Sequence, residues 1–370
     1  MRQCELLRHL GHEPLVIAFA EPDDAAGYTL VHRPTPQPTT ARRLATLARR
    51  LPAHLGRAAA SAGFWAEAEH RWALAELRRH RPALVIANDW PALVVAAEYK
   101  RAHGGKVHYD THEFATLEFD ERWWWRTVYK PMVRHLESGS LDAADGISTV
   151  GDRLADALAA SYGLQRRPVV VRNIPDGIAL PDAAPAQWPL RILYHGRVLP
   201  DRGLETLLLS VKRWETPHQV TIRGDGDEGY VDRLKSIVAA EGIGAQVTFA
   251  AAVPPRRVMP IAVETADLGV HFTPLGTDQR HFSLPNKVFE YIGAGLAIAV
   301  SPGADLKTLV EAHGVGVVAE DDTAHGAATA INSLTQQSVD AFKTSARRAA
   351  RMLCWENERQ RLADALTPLL

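Results

Sequence analysis

Short apolar runs of five to seven residues alternate with longer helix-type stretches along the whole chain, and no other feature constrains the fold so tightly. Parallel strands buried on both faces read as near-continuous apolar runs. They need a crossover between each pair, so this alternation predicts α/β architecture with helices on both faces of parallel sheets. In the first half the strand candidates are Pro14–Ala20, Ala83–Ala87, Lys106–Asp110, Asp145–Val150 and Pro168–Asn173. In the second half they are Leu190–Gly196, His218–Arg223, Ala245–Ala251, Asp267–Phe272, Leu296–Val300 and Gly314–Ala319. At 370 residues the chain is long enough for two cores. Between the halves, Ile174 to Pro189 carries Pro175, Pro181, Pro185 and Pro189, a composition that predicts an exposed linker. A last helical stretch is expected over Ser338 to Leu366.

The opening of the chain departs from this plan. A doubly wound domain begins with a strand whose following loop faces the ligand. Here a helix is expected first, Arg2 to Leu10, ending at Gly11-His12 and leading into what reads as a second strand. A start placed too late, or a fragment, accounts for that. So does an inactive remnant whose sheet keeps unpaired backbone edges.

Net charge of −1 gives no global attraction to nucleic acid. Two cysteines, Cys4 and Cys354, make no disulfide framework and fit a reducing cytoplasm. No apolar run approaches the roughly 18 residues of a membrane span, and no signal peptide is recognised.

The segment from Ser283 to Ser301 carries the chemistry. Pro285 suits the first position of a helix, where its missing N–H has no partner to lose. Val288, Tyr291 and Ile292 recur at helical spacing. Gly293 and Gly295 close the helix before the apolar run Leu296–Val300. A helix start collects free N–H groups and the positive end of the dipole, a seat for phosphate oxygens. Lys287 adds a cation there. Glu290, about one turn further in, is placed to accept hydrogen bonds from the vicinal hydroxyls of a ribose. Anion seat and sugar-reading carboxylate together imply a nucleotide-sugar site.

This segment resembles the donor-site signature of glycosyltransferase family 4, retaining sugar transferases of the GT-B fold with two Rossmann-like domains facing a central cleft. Tyr194-His195-Gly196-Arg197, with Arg202-Gly203 following, is similar to the family's strand-end Gly-Arg and later Lys-Gly, with arginine in place of lysine. Tyr109-Asp110-Thr111-His112-Glu113 is similar to its Asp-x-His-Glu segment. Asp145–Val150, Val169–Pro175 and Trp355-Glu356 stand in family-like order.

The resemblance implies an acceptor-side domain over residues 1–180, completed by 352–370, and a donor-binding domain over 188–351. It implies donor contacts from Gly196, Arg197, Arg202, Gly224, Ser283, Leu284, Asn286, Lys287 and Glu290. His112 is implied near the reacting sugar; Glu113 either bonds locally or meets the acceptor. Partners would be a nucleotide-sugar donor and a glycan or lipid-linked acceptor, as in polysaccharide biosynthesis. Fixed cations such as Arg197 and Arg202 would stabilise the departing diphosphate without a metal or other cofactor. In a front-face retaining reaction the leaving phosphate takes the acceptor proton, so the paired acids of glycoside hydrolases are not needed. The family often carries a second glutamate eight positions before Glu290, where this chain has Phe282.

Three further features are weighed beside that site. Gly224-Asp225-Gly226-Asp227-Glu228-Gly229 fits a dinucleotide fingerprint, but its three acids occupy the place of a pyrophosphate. An EF-hand spacing is absent there too. Arg42 to Arg81 holds nine arginines against three acids, and Trp123-Trp124-Trp125 precedes Arg126, Tyr129 and Lys130. Either these are ordinary surface helices with buried aromatics, or they lie peripherally on an anionic membrane. A non-catalytic GT-B-like nucleotide- or glycan-binding protein stands as the alternative to a transferase. A sugar-nucleotide epimerase of the same fold stands behind both.

Overall fold

The computed structural model describes residues 2–19, 28–34, 39–276 and 282–370, the side chains of residues 41–43 excepted. The chain divides into two compact units, Met1–Val171 with Arg359–Leu370, and Arg172–Glu358. Both are built from parallel strands and covering helices, the mixed α/β arrangement that the alternating pattern predicts.

The first unit opens with the helix Arg2–His9. Strands β1 (Leu15–Ala18) and β2 (Thr29–His32) pair in parallel as a two-stranded sheet. A four-stranded parallel sheet follows in the order β3 (Leu84–Asn88), β4 (Lys106–Thr111), β5 (Gly146–Thr149) and β6 (Val169–Val170). Among the described residues β3 pairs with β4 alone, and Leu84, Val85 and Ile86 remain half-buried. Val107 and Tyr109 of β4 are enclosed, packed with Leu93 of the helix Asp89–His103. β2 has no counterpart among the strands expected from the sequence: its two apolar positions, Leu30 and Val31, are too few to stand out.

The second unit holds one six-stranded sheet, all parallel. In chain order its strands are β7 (Arg191–His195), β8 (Gln219–Arg223), β9 (Val247–Ala250), β10 (Leu268–His271), β11 (Ala297–Val300) and β12 (Gly316–Val318). Across the sheet they run β12-β11-β10-β7-β8-β9, so the winding reverses between β7 and β10. Side chains alternate strictly between faces: Ile192 and Tyr194 enter one core with Val270 and Ala299, while Leu193 enters the other with Ile298 and Val300. Helix Asn286–Gly293 docks on that second core through Val288, Phe289, Tyr291 and Ile292, each no more than 1% exposed. Burying a side chain of this size contributes about 1.5–3 kcal/mol. That anchoring holds the start of the helix in place.

Two expectations need correction. The stretch Ser338 to Leu366 is not one helix. It breaks after Gln336–Ala350 and resumes at Trp355–Leu366, where the Trp355 N–H turns to the carbonyl of Pro175. The proline-rich segment before β7 is not simply an exposed linker. Ile174 and Ala186 are buried, the Ala186 N–H bonds Asp340, and Lys343 and Arg347 reach the carbonyls of Ala184 and Pro181. Prolines leave many carbonyls without strand partners, and basic side chains of the helix Gln336–Ala350 satisfy several of them.

Candidate functional site

In open α/β sheets, ligands bind beyond the carboxyl ends of the strands where the winding reverses. In the second unit that place lies past His195 of β7 and His271 of β10. Tyr291 reaches it from the helix Asn286–Gly293. Its hydroxyl accepts from the His195 N–H at 3.0 Å and donates to the Val270 carbonyl at 3.4 Å. Gly269 makes room for the ring, since a Cβ there would lie 2.2 Å from it.

The loop after β7 is shaped by glycines that touch backbone. Gly203 has φ +75°, and a Cβ would lie 1.9 Å from the carbonyl oxygen of Phe272. It follows Asp201, itself left-handed at φ 64°, so Arg202 is held between two unusual residues. Gly203→Ala is therefore expected to destabilise the fold by about 3 kcal/mol or more, combining backbone strain with a clash. Urea denaturation measures it; an unchanged midpoint would contradict the packing.

Lys287 is the central cation. Its Nζ lies 3.7 Å from the centre of the Tyr194 ring and approaches Gly196, where a Cβ would meet it at 3.3 Å. Burial and then the Arg202 charge lower its pKa to about 7, against the pull of Glu290. Burial, followed by the Lys287 charge, also holds His195 down at about 3, so its imidazole is neutral. Nε2 of that ring lies 3.1 Å from a carboxylate oxygen of Glu290. His271 is likewise driven well below its ordinary value by burial, Lys287 and Arg202.

The structure thus brings Gly196, Arg202, Lys287 and Glu290 into one neighbourhood. Arg197 is exposed on the same loop, its carbonyl held by the Tyr194 hydroxyl at 2.9 Å. Ser283 and Asn286 are exposed at the helix start, and Leu284 packs on the core beneath. Pro285 is the residue before the first helical position rather than the first itself. Gly224 lies against the Gly196 carbonyl, which a Cβ would meet at 1.8 Å. The acids of its loop serve the protein: Asp227 caps the helix Glu228–Glu241 through the Tyr230 N–H, and Asp225 accepts from the Ala252 N–H. His195, His271, Tyr291 and Gly269 are neighbours that the sequence reading lacks; polar residues closing two adjacent strands are the signal it passes over.

In the first unit, His112 follows β4 at the carboxyl end of the sheet. Its N–H and Nδ1 lie 3.3 and 3.4 Å from Asp89, and Nε2 lies 3.6 Å from Asp110. Its pKa is raised, chiefly by Asp89 and against burial. Asp110 also accepts from Gln3 at 2.6 Å and from Ser148 at 2.6 Å. Glu113 is exposed, and its carbonyl accepts from the Thr111 hydroxyl. Near it Glu118 is raised to about 7 by burial, Glu113 and Asp89. Asp89 and Glu118 are further side chains of this edge beyond those the sequence indicates.

Comparison with known proteins bears on the family and the fold. Residues 1–174 match the glycosyl transferase 4-like domain, and residues 189–337 match glycosyl transferases group 1. The chain belongs to the GT-B glycosyltransferases. This transferase is similar in fold to Anabaena Alr3699/HepE, solved in complex with UDP, at 16% identity and a TM-score of 0.73, covering 100% of this chain and 96% of that one. It is also similar to sucrose-phosphate synthase of Thermosynechococcus elongatus, at 15% identity, TM-score 0.71, and 99% and 91% coverage. WaaG, a glycosyltransferase involved in lipopolysaccharide biosynthesis, aligns at 15% identity and a TM-score of 0.66 over 99% and 94%. No curated protein matches the chain by sequence. Among the described residues, no helix of the transferase is long and apolar enough to cross a membrane.

Proposed function

We propose that this transferase moves a sugar, with retention at C1, from a nucleoside-diphosphate sugar to a glycan or lipid-linked acceptor. The observation that carries the reading is the set of Lys287, Arg202 and Glu290 around the start of one helix at the sheet's reversal point. Donor phosphates would lie against the first N–H groups of the helix Asn286–Gly293, with Arg197 on the same loop as a second guanidinium. As the C1–O bond stretches, charge grows on the β-phosphate. Cations already fixed there stabilise that charge more than the ground state, which is what lowers the barrier. Arg202 and Lys287 supply this countercharge without requiring a metal. Glu290 holds the ribose, Gly224 lets the base approach, and Ser283, Leu284 and Asn286 line the donor's seat. His112 is assigned to the reaction centre beside the transferred sugar and Glu113 to the acceptor side, with peripheral contact to an anionic membrane where the acceptor is lipid-linked.

The structures of HepE with UDP and UDP-glucose make UDP-glucose the first donor to test. Calorimetric titration with UDP, followed by a hydrolysis and transfer screen over UDP- and GDP-sugars, tests the reading. Arg202→Ala is expected to lower turnover by about 10²–10³, the usual effect of removing one group that stabilises developing charge. No binding of any nucleoside diphosphate, or full turnover in Arg202→Ala, would overturn it.

A further inference from the structure

The turn Leu51–Leu55 joins the helix Thr40–Arg50 to the helix Arg57–Trp65 and carries the most exposed apolar side chain recorded, Leu55 at 86%. Leu51 is 54% exposed and Leu44 is 62% exposed. Trp123, at 70%, stands two residues before the segment on which this turn packs. The turn packs on the π-helix Trp125–Tyr129, where His54 meets the Thr127 carbonyl. The Thr127 hydroxyl in turn bonds the Trp123 carbonyl at 2.9 Å, and the Arg50 guanidinium lies 4.5 Å from the centre of the Tyr129 ring. Four large apolar side chains exposed by half or more, on the helix Thr40–Arg50, the turn that follows it and the segment that turn packs against, exceed what a solvated surface needs.

The charge around them has one dominant sign. Residues 40–57 hold five arginines and no acid. Arg49 and Arg57 are exposed at the turn, and Arg122 and Arg126 are exposed on either side of Trp123. Asp120 and Glu121 offset part of this at the far end, with Arg126 bonding the Asp120 carbonyl and Arg122 lying 3.3 Å from Glu121. Beside the turn a depression of about 280 Å³ is lined by Pro52, Ala59, Ala62, Gly63 and Ala66, with Arg49. Its lining is nearly all hydrocarbon, wide enough for methylene groups, beside a guanidinium suited to a phosphate.

We infer that this face of the first unit docks on an anionic phospholipid leaflet, with Leu51, Leu55 and Trp123 entering the interface and Arg49 meeting lipid phosphate. A tryptophan flanked by arginines matches the headgroup boundary, where the ring is amphipathic and the cations stay with phosphate. Leucines alone would favour another protein surface as readily; the excess of arginine favours a negatively charged bilayer. The inference gives the membrane contact proposed above a defined surface, and it stands or falls apart from the donor site.

Co-sedimentation of the full chain with phosphatidylglycerol–phosphatidylcholine vesicles, against pure phosphatidylcholine, provides the test. Binding is expected to the anionic vesicles, weakening as salt is raised. The pair Leu55→Glu with Trp123→Ala should lower partitioning at least about tenfold, since each side chain removes apolar burial from the interface. Arg49→Glu should lower binding to anionic vesicles specifically. The substituted residues are exposed, so thermal melts and UDP affinity without vesicles should match the wild type. That match separates loss of docking from loss of the donor site. No binding to anionic vesicles, or binding unchanged in both variants, would overturn the inference. A concentration-dependent dimer that these variants dissolve would also do so, assigning the face to a second copy.

Discussion

Lys287→Met is expected to raise the melting temperature and, in the same protein, to cut sugar transfer by about 10²–10³. The opposite signs follow from one fact, the depression of this lysine from its ordinary value of 10.5 to about 7. A folded pKa below the unfolded one means that the unfolded chain binds the proton more tightly. Lys287 therefore works against folding most strongly below about pH 7. Stability rises with pH from there toward the ordinary lysine value. Methionine keeps the stem against the Tyr194 ring and removes the charge. The gain should be about 2–4 °C for each kcal/mol recovered in a domain of this size. Scanning fluorimetry reads that gain, and initial rates read the loss.

Donor binding has its own pH signature. A diphosphate beside Lys287 raises its pKa again, so above about pH 7 binding takes up a proton. Affinity for UDP should fall as pH climbs past that point. Among the shifted neighbours, Tyr194 is pushed up to about 12 and His195 down to about 3, so neither titrates in that window. His271 lies well below its ordinary value. Calorimetry in two buffers of different ionisation heat would detect the proton. A flat affinity between about pH 7 and 9, where the terminal phosphate of UDP is already ionised, would end this account in the wild type. Lys287→Met should itself show that flat profile.

The strands of both units were legible because buried parallel strands leave a local trace. Runs such as Arg191-Ile192-Leu193-Tyr194 and Ala297-Ile298-Ala299-Val300 are apolar for as long as they are enclosed. Where burial is partial the trace fades, and Thr29–His32, with exposed ends, passes for loop. The break after Ala350 is hidden for the opposite reason. Met352, Leu353 and Trp355 continue an apolar pattern, and only the distant Pro175 carbonyl shows where the Trp355 N–H goes.

The site divides along the same line. Gly196, Arg202, Lys287 and Glu290 could be named because each sits in a short segment with its own chemical logic. Tyr291 could not: its helical spacing marks it as core, and nothing local reveals a hydroxyl bonded to a residue 96 positions away. Asp89 is similar, since its left-handed backbone and its contact with His112 exist only once β3 and β4 are side by side.

Glu290→Ala is expected to weaken UDP binding by about 10²–10⁴-fold, because hydrogen bonds to a charged partner contribute about 1.5–3 kcal/mol each and a vicinal diol makes two. The affinity loss alone would not establish the role. Glu290 also lies 3.1 Å from the His195 ring, and a carboxylate that merely positions that ring would cost affinity on removal too. The nucleotide separates the two. If Glu290 accepts from the ribose hydroxyls, the wild type should discriminate strongly against 2′,3′-dideoxy-UDP, and Glu290→Ala should bind UDP and its dideoxy form almost equally. The energies are then non-additive, as for groups in direct contact. If the carboxylate only holds His195, the variant should reject the dideoxy nucleotide as sharply as the wild type does. Glu290→Gln sharpens the comparison, since it keeps one acceptor oxygen beside His195 while losing the charge. An intermediate affinity with partial discrimination is the result that a direct bond to the sugar requires.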